Sequence, residues 1–233
     1  MLNKQPITLL GRFIYMVFPY RRKVIMKNIE QVFANRTSTE NKKNLAKAFY
    51  SHLAKCLQET LQIRFISDKK LRKKVTVVGQ EHLLSIADQG KGVLILTGHF
   101  GNWEFAPLGG ILNFAQYKGH FHFIRKNIRN KFVERILFKR YIQAGLHVIP
   151  KNNAMHLVKD ALEKNHAVVF VLDQHAIIQN KDGIPVEFFG KKAGTYRSLA
   201  SLSRHTGIPV IPAASYRKQN GQHVLEFFKP IPW

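Results

Sequence analysis

A chain of 233 residues with 45% hydrophobic and 22% charged residues is long enough for one sizeable α/β domain, and this composition excludes a disordered protein. The formal charge of +23, from 37 Lys and Arg against 14 Asp and Glu, indicates an anionic partner: nucleic acid, an anionic membrane, or an acidic protein or lipid. The single cysteine, Cys56, excludes an intramolecular disulfide and is consistent with a reducing compartment.

The N-terminal segment, residues 7–20, is largely apolar and carries no signal-peptide cleavage pattern. Gly11, Arg12 and Pro19 interrupt it, and a membrane-spanning helix takes about 20 apolar residues, so the segment is predicted not to cross a bilayer alone. Two interpretations stay open. The segment lies in the membrane interface as a short amphipathic segment, with the basic residues of 21–27 contacting lipid headgroups, or it is a core helix packed under the sheet.

Two longer helices are predicted next. The first spans Tyr20–Phe33, and the second begins at a capping box formed by Thr37 and Glu40 and runs to about Ile63. The basic residues at 69–74 that follow are interpreted as a solvated connection, or as a docking patch for membrane or carrier protein. The buried stripe of the second helix is predicted to contain Leu45, Phe49, Leu53, Leu57 and Leu61.

Strands and helices alternate through the rest of the chain, which predicts a largely parallel sheet with helices on its faces. Helices are predicted over Arg129–Ala144, after a cap at Asn153, and from a cap at Thr195 to about His205. The last strand, Val224–Phe228, is predicted to be antiparallel. The fold class is therefore α/β, a mixed, mainly parallel sheet flanked by helices, with an N-terminal helical pair. The earlier strands are predicted at Val75–Val78, Val93–Leu96, His120–Ile124, His147–Ile149 and Ala167–Leu172.

The turn after the second predicted strand carries the candidate chemistry. His99 lies just past the strand's C-terminal end, where α/β folds usually expose functional groups. Glu104 follows five positions later, on a different face of any continuous helix, so the two side chains meet only if the chain turns between them. Gly98 and Gly101 permit that turn, and Asn102 is predicted to cap the next helix. An imidazole oriented by a carboxylate is the base-and-orienter half of a hydrolase triad.

A protein nucleophile is missing from the same region. The sequence contains no GxSxG elbow, and Cys56 lies in a distant helical pattern. A base without a protein nucleophile indicates that the nucleophile belongs to the substrate. We therefore predict that His99 deprotonates a bound hydroxyl, which then attacks an activated acyl group.

Residues 96–104 read Leu-Thr-Gly-His-Phe-Gly-Asn-Trp-Glu, and this stretch resembles the HxxxxE motif of the bacterial lipid A late acyltransferases of the lauroyl/myristoyl type. The resemblance implies a fold like that of the lysophospholipid and glycerol-phosphate acyltransferases, with His99 and Glu104 catalytic. It also implies transfer of a fatty acyl chain from acyl carrier protein to a hydroxyl of an anionic glycolipid, a lipid A precursor. No cofactor or metal is implied, and the expected location is the cytoplasmic face of the bacterial inner membrane, peripheral or anchored.

Four further residues are assigned to substrate binding. Arg125 resembles the family's arginine after the third strand, and Arg140 resembles its arginine in the following helix. An arginine beside the His99 turn could bind a substrate phosphate or stabilise an oxyanion. The alternative is that each arginine is an ordinary surface charge. Asp173 resembles the acid of the family's Asp-Gln pair and would orient Arg125 or the acceptor, with helix capping as the alternative. Asn102, which lies within the motif, is the fourth residue assigned to substrate binding. A metal site at Asp173 and His175 lacks a third ligand at suitable spacing.

The whole chain, residues 1–233, is expected to form one acyltransferase domain with the helices of residues 1–65 packed on it; the family's N-terminal membrane anchor and C-terminal segment are expected to be absent. One alternative is an acyltransferase that acts on another phospholipid or glycolipid, with an acyl carrier protein or coenzyme A donor. A second is a binding protein with a decayed site, against which the intact His99 and Glu104 argue. The absence of RNP-like, KH and zinc-finger patterns argues against nucleic acid as the partner.

Overall fold

The computed structural model describes residues 6–18, 20–125, 138–152, 154–178 and 183–232. Contacts within the chain divide it into two compact units, the first comprising Met1–Gln62 with Glu187–Lys191 and the second comprising Ile63–Val186 with Lys192–Trp233. The single domain expected over residues 1–233 stays a prediction.

Three helices, α1 (Leu9–Val17), α2 (Arg22–Phe33) and α3 (Thr39–Gln62), make up most of the first unit. Its small core centres on Tyr50, which is fully buried, stacks edge-on against Tyr15 with ring centroids 6.1 Å apart, and donates its hydroxyl to a backbone carbonyl. Among the residues that the structure describes, no helix combines the length and the apolar composition that crossing a bilayer requires.

The buried face of α3 differs from the prediction. The side chains of the predicted stripe from Phe49 to Leu61 are exposed, with Leu57 62% accessible, whereas Ala46, Tyr50 and Ser51 are buried. The reason is the close approach of α1, in which a Cβ added to Gly11 would lie 1.9 Å from Ser51 Oγ, so α3 presents its small residues to α1.

The cap of α3 also differs from the predicted capping box. Ser38, not Thr37, caps the helix, because Ser38 Oγ accepts the N–H of Asn41 at 3.2 Å and the Ser38 carbonyl accepts the N–H of Lys42 at 3.0 Å.

Seven strands of the second unit form one sheet, in the order β1-β9-β8-β2-β5-β3-β4. Every neighbouring pair in this order is parallel except β8 and β9, which are antiparallel. The predicted mixed, mainly parallel sheet and its antiparallel last strand are confirmed. A separate two-stranded sheet pairs β6 with β7. The strands are β1 (Val75–Val78), β2 (Val93–Thr97), β3 (Phe121–Arg125), β4 (Leu146–Pro150), β5 (Ala167–Val171), β6 (Gly183–Phe188), β7 (Lys191–Tyr196), β8 (Val210–Arg217) and β9 (His223–Phe227).

Helices of the second unit pack with the seven-stranded sheet in two apolar clusters, one containing Phe105 and Phe227 and the other Val158 and Leu202. The basic run predicted as a connection is mostly helix, since Ser67 Oγ accepts the N–H of Lys70 and starts α4. Asn153 and most of the helix predicted at 129–144 lie outside the described residues, although residues 138–143 are helical. The helices are α4 (Asp68–Lys73), α5 (Gln80–Ala87), α6 (Phe105–Ile111), α7 (Ala154–Glu163) and α8 (Ser198–Thr206).

The predicted cap at Thr195 is wrong, because this residue belongs to β7 and α8 begins at Ser198. The neighbouring Gly194 donates its N–H to His175 Nδ1 at 3.2 Å, and its carbonyl accepts the N–H of Ala176 at 3.0 Å. These hydrogen bonds hold the backbone of this segment extended.

Four imidazoles, those of His120, His122, His147 and His166, stack where β3, β4 and β5 begin. Their neighbouring ring centroids lie 4.5 to 5.1 Å apart, and His122 and His166 share a hydrogen bond of 2.9 Å. Burial and then the neighbouring imidazoles lower the pKa of His122 to about 4. The fold therefore holds this ring in its neutral form at neutral pH.

The histidine stack makes folding stability dependent on pH. Because the pKa of His122 is lowered to about 4 in the fold and is about 6.5 in an unfolded chain, its stabilising contribution is present above about pH 6.5 and is lost as the pH falls towards 4. His122→Gln is expected to flatten this part of the stability profile, measured by urea unfolding at about pH 7 and about pH 4.5. His156→Gln, at an exposed histidine, is the control and should keep the wild-type profile. If the free energy of unfolding of His122→Gln changes between the two pH values as much as that of the wild type, the prediction is contradicted.

Candidate active site

The site forms where two neighbouring parallel strands end. β2 and β5 pair in register up to Thr97 and Val171, and the N–H of Leu172 donates to the Thr97 carbonyl at 3.1 Å. The turn after β2 carries His99 and the turn after β5 carries Asp173. Because the carboxyl ends of parallel strands meet at one edge of the sheet, these two side chains lie together.

His99 and Asp173 make a two-point contact. His99 Nδ1 lies 2.8 Å from Asp173 Oδ1, and the His99 backbone N–H donates to Oδ2 at 2.7 Å. Since a carboxylate only accepts hydrogen bonds, Nδ1 carries the proton and Nε2 has a free lone pair. The imidazole also meets Trp103 edge-on, with ring centroids 5.1 Å apart. The contact fixes the orientation of the imidazole, and both partner side chains are about one-third exposed, at 35% and 33%.

The predicted pairing of Glu104 with His99 is not what the structure contains, because Asp173 occupies Nδ1. Glu104 instead accepts a hydrogen bond from the hydroxyl of Tyr141, which lies in the helical residues 138–143. Burial, and then the negative charge of Glu104, raise the pKa of Tyr141 well above its ordinary value, so the phenol stays protonated and donates. The sequence does not indicate that Tyr141 belongs to the site, because no spacing pattern connects it with the motif at residues 96–104.

Asn102 makes the hydrogen bonds of the predicted N-cap. Its Oδ1 accepts the N–H of Glu104 at 3.2 Å and of Phe105 at 3.0 Å, and its carbonyl accepts the N–H of Ala106 at 3.0 Å. The side chain is buried, with 1% of its surface accessible. The carboxamide of Asn102 therefore caps the next helix and does not line the cavity described below, and its assignment to substrate binding stays a prediction.

Gly101 sets the path of the turn between His99 and the cap. Its φ is +56°, and a Cβ at this position would lie 2.5 Å from the carbonyl oxygen of Ser215 in β8. Ser215 Oγ in turn donates to the Phe100 carbonyl at 2.6 Å. The turn thus lies directly on β8, which fixes the position of His99.

Gly101→Ala is expected to destabilise the fold by at least about 2 kcal/mol, because it combines a left-handed backbone with a contact too short for a Cβ. Urea unfolding would measure the loss. Gly221→Ala is the matched control, because Gly221 has φ +83° and no atom within 4 Å of the added Cβ. Equal losses of unfolding free energy in the two variants would mean that the close approach of Gly101 to β8 contributes nothing to the effect of the substitution.

The two predicted arginines differ in position. Arg125 ends β3 and lines the cavity that contains His99, and its guanidinium lies 4.2 Å from the centre of the Phe138 ring. Arg140 donates to the Ile66 carbonyl at 2.9 Å and pairs with Asp68 at 2.8 Å, and it is absent from the cavity lining. The structure therefore brings Arg125 to the site, whereas Arg140 ties the start of α4 to the helical residues 138–143.

The cavity has a volume of about 920 Å³. Besides His99, Glu104, Arg125 and Tyr141, its walls are largely apolar and include the buried ring of Phe121. Such a cavity has room for a long alkyl chain beside an imidazole, a carboxylate and a cation. Other apolar lining residues are Ile111, Phe114, Phe123, Leu146, Val158, Val169, Leu225 and Phe227.

The alternative metal site is not assembled. Asp173 is engaged by His99, and His175 Nδ1 accepts the N–H of Gly194. Within the described ranges, no group of three or more His, Cys, Asp or Glu side chains is arranged to hold a metal ion.

Similar proteins define the class of enzyme. The lipid A biosynthesis lauroyltransferase of Escherichia coli strain K12 is 23% identical over 213 residues, which cover 91% of this chain and 67% of the relative. The lipid A biosynthesis palmitoleoyltransferase of the same strain is 27% identical over 218 residues, covering 90% and 66%. The phosphatidylinositol mannoside acyltransferase of Mycolicibacterium smegmatis is 20% identical over 186 residues, covering 76% and 58%. All three are acyltransferases, and so is this enzyme.

Residues 3–230 match the bacterial lipid A biosynthesis acyltransferase family. The chain belongs to this family, as its sequence predicts. It spans about two thirds of the length of the E. coli relatives.

Proposed function

We propose that this protein transfers a fatty acyl chain from acyl carrier protein to a hydroxyl of a lipid A precursor at a membrane surface, in lipopolysaccharide biosynthesis. The observation that carries the proposal is the pairing of His99 with Asp173 at the wall of a large apolar cavity. The geometry supplies an oriented base, and the sequence offers no GxSxG elbow as a protein nucleophile, which favours transfer to a substrate hydroxyl.

The reaction begins when Nε2 of His99 takes the proton of the acceptor hydroxyl. The oxygen attacks the thioester carbonyl, and the tetrahedral intermediate collapses with cleavage of the carbon–sulfur bond. The imidazolium then returns the proton to the departing thiolate, so an ester and a thiol are formed and His99 is regenerated. Asp173 holds the ring in the productive tautomer and stabilises the imidazolium.

Arg125 and Glu104 are charged side chains that line the cavity together with His99. The positive charge of Arg125 acts on Tyr141, lowering the pKa of a phenol that burial and Glu104 raise, so these groups form one electrostatic cluster. We assign Arg125 to stabilising the oxyanion of the tetrahedral intermediate. Glu104, held by Tyr141, adds negative charge that favours the imidazolium.

The apolar walls suit the acyl chain of the donor. Burying alkyl carbon contributes roughly 0.8 kcal/mol per CH₂, so a long chain supplies a large share of donor affinity. The excess of basic residues, 37 against 14 acidic ones, favours an acidic carrier protein as the donor.

The first helical unit supports a peripheral location on the cytoplasmic face of the bacterial inner membrane. Helix α1 exposes Leu9 (85% accessible), Phe13 and Met16 (75%), and basic residues at 21–23 follow it. Apolar side chains beside cations are the composition of helices that lie in the interface of an anionic membrane.

A second candidate function keeps the chemistry and changes the substrates. The mycobacterial relative is named for a different glycolipid acceptor. An acceptor other than a lipid A precursor, or a coenzyme A donor, is therefore the alternative.

Transfer of radiolabelled acyl groups would test the proposal. Acyl carrier protein and coenzyme A thioesters would each be offered with a lipid A precursor, a phosphatidylinositol mannoside and a lysophospholipid. Label on the lipid A precursor with the carrier donor, lost in His99→Ala and kept in His156→Ala, is the expected result. Label only on another acceptor, or only from coenzyme A, would establish the alternative, and no transfer by folded protein to any acceptor would refute both.

A further inference from the structure

A second groove adjoins the cavity that holds His99. It has a volume of about 880 Å³ and is lined by residues of α7 and α8. Lys151, Met155, Tyr196 and Ser198 line both spaces. The groove and the cavity are therefore neighbours that share these four side chains.

The groove is cationic. Its lining contains Lys151, Lys159 and Arg197, and none of its described lining residues is acidic. Asp160 of α7 does not line it and instead pairs with His156 at 3.2 Å. The cations are thus not neutralised by neighbouring lining carboxylates, so the groove favours an anion.

The cations come from separate elements that converge on the groove. Lys159 lies on α7, and Arg197 immediately precedes the nine-residue helix α8, whose N-terminus adds its own positive potential. Lys151 Nζ lies 5.4 Å from the centre of the Tyr196 ring on the wall shared with the cavity. Ser198 and Ser201 add hydroxyl groups. Arg, Lys and hydroxyl groups together form the donor set that binds phosphate oxygens.

We propose that this groove binds the phosphate-bearing sugar headgroup of the anionic glycolipid acceptor, an inference that rests on the proposed function. The headgroup phosphate lies between Lys159 and Arg197, and Tyr196 and Ser198 face the sugar on the shared wall. The acceptor hydroxyl then reaches His99 while the donor's acyl chain occupies the apolar cavity. A groove of about 880 Å³ beside the reaction cavity has room for a sugar headgroup but not for a folded carrier protein.

Binding of a water-soluble disaccharide bisphosphate without acyl chains tests the groove independently of catalysis. We expect the double variant Lys159→Ala/Arg197→Ala to bind it at least about tenfold more weakly, as loss of two charge-assisted contacts predicts. Lys91→Ala/Lys218→Ala removes the same charge outside both spaces and should bind like wild type. The unphosphorylated disaccharide should bind weakly and equally to all three proteins. Equal binding of the bisphosphate by all three would overturn the proposal, and inorganic phosphate binding as tightly as the headgroup would mark a free-phosphate site instead.

Steady-state kinetics separate the acceptor from the donor. The same double variant should raise KM for the phosphorylated acceptor and leave KM for the acyl donor and kcat nearly unchanged. A raised donor KM with an unchanged acceptor KM would assign the groove to the carrier protein and overturn the proposal. If headgroup binding is lost in the double variant but the wild type transfers no acyl group, the groove assignment stands and the proposed function fails.

Discussion

His99→Ala is expected to lower acyl transfer by about 10²- to 10⁴-fold, the range that general-base help supplies. Nε2 is the only atom of this ring left to accept the hydroxyl proton, because Nδ1 faces Asp173. The side chain is 35% exposed, so its removal leaves no large void in the core. The fold should therefore persist.

The measurement is single-turnover transfer from labelled donor, with urea unfolding to show that the variant is folded. His156→Ala, at an exposed histidine outside the cavity, is the control. A folded His99→Ala protein with wild-type turnover would remove this residue from the mechanism.

Asp173→Ala is expected to lower kcat by about 10²-fold or more, since the imidazole loses the group that fixes its tautomer and stabilises its charged form. Glu104→Gln should cost less, because Glu104 contacts Tyr141 and not His99. This order of effects distinguishes the observed pairing from the one that the motif suggests.

Asp173 also holds the backbone N–H of His99, so a second variant is needed to separate charge from backbone support. Asp173→Asn keeps a carbonyl oxygen that can accept the backbone N–H but removes the charge. A loss of kcat in Asp173→Asn with little change in KM or stability would identify electrostatic positioning of the base. A larger loss in Glu104→Gln than in Asp173→Asn would contradict the assignment.

The sequence correctly predicts that His99 lies just past the end of a strand, because the short apolar run bounded by glycines is identified from neighbouring residues alone. It does not predict the partner. Asp173 is 74 positions away, and it meets His99 only because β5 lies beside β2 in the sheet. Strand adjacency is a property of the whole fold, so the sequence pairs His99 with the nearest carboxylate, Glu104, which in the structure is hydrogen-bonded to Tyr141.

The remaining differences between the sequence predictions and the structure also arise from contacts between residues that are distant in the sequence. The buried face of α3 depends on the close approach of Gly11 to Ser51, and Arg140 is engaged by Asp68 and Ile66, which precede it by more than 70 positions. Periodicity identifies which residues are helical, but the contact partner decides which face is buried.

The pairing of β1 with β9 has a consequence for how the sheet is completed during synthesis. Val75 aligns with His223, so among the strands that the structure describes β1 has no partner until the last one has been made. At about 5 to 20 residues per second, that delay is roughly 7 to 30 seconds, during which the edge of β1 that later pairs with β9 is open to other chains. The basic residues of α4, directly before β1, place like charges beside that edge, and their repulsion would slow its association with a second nascent copy.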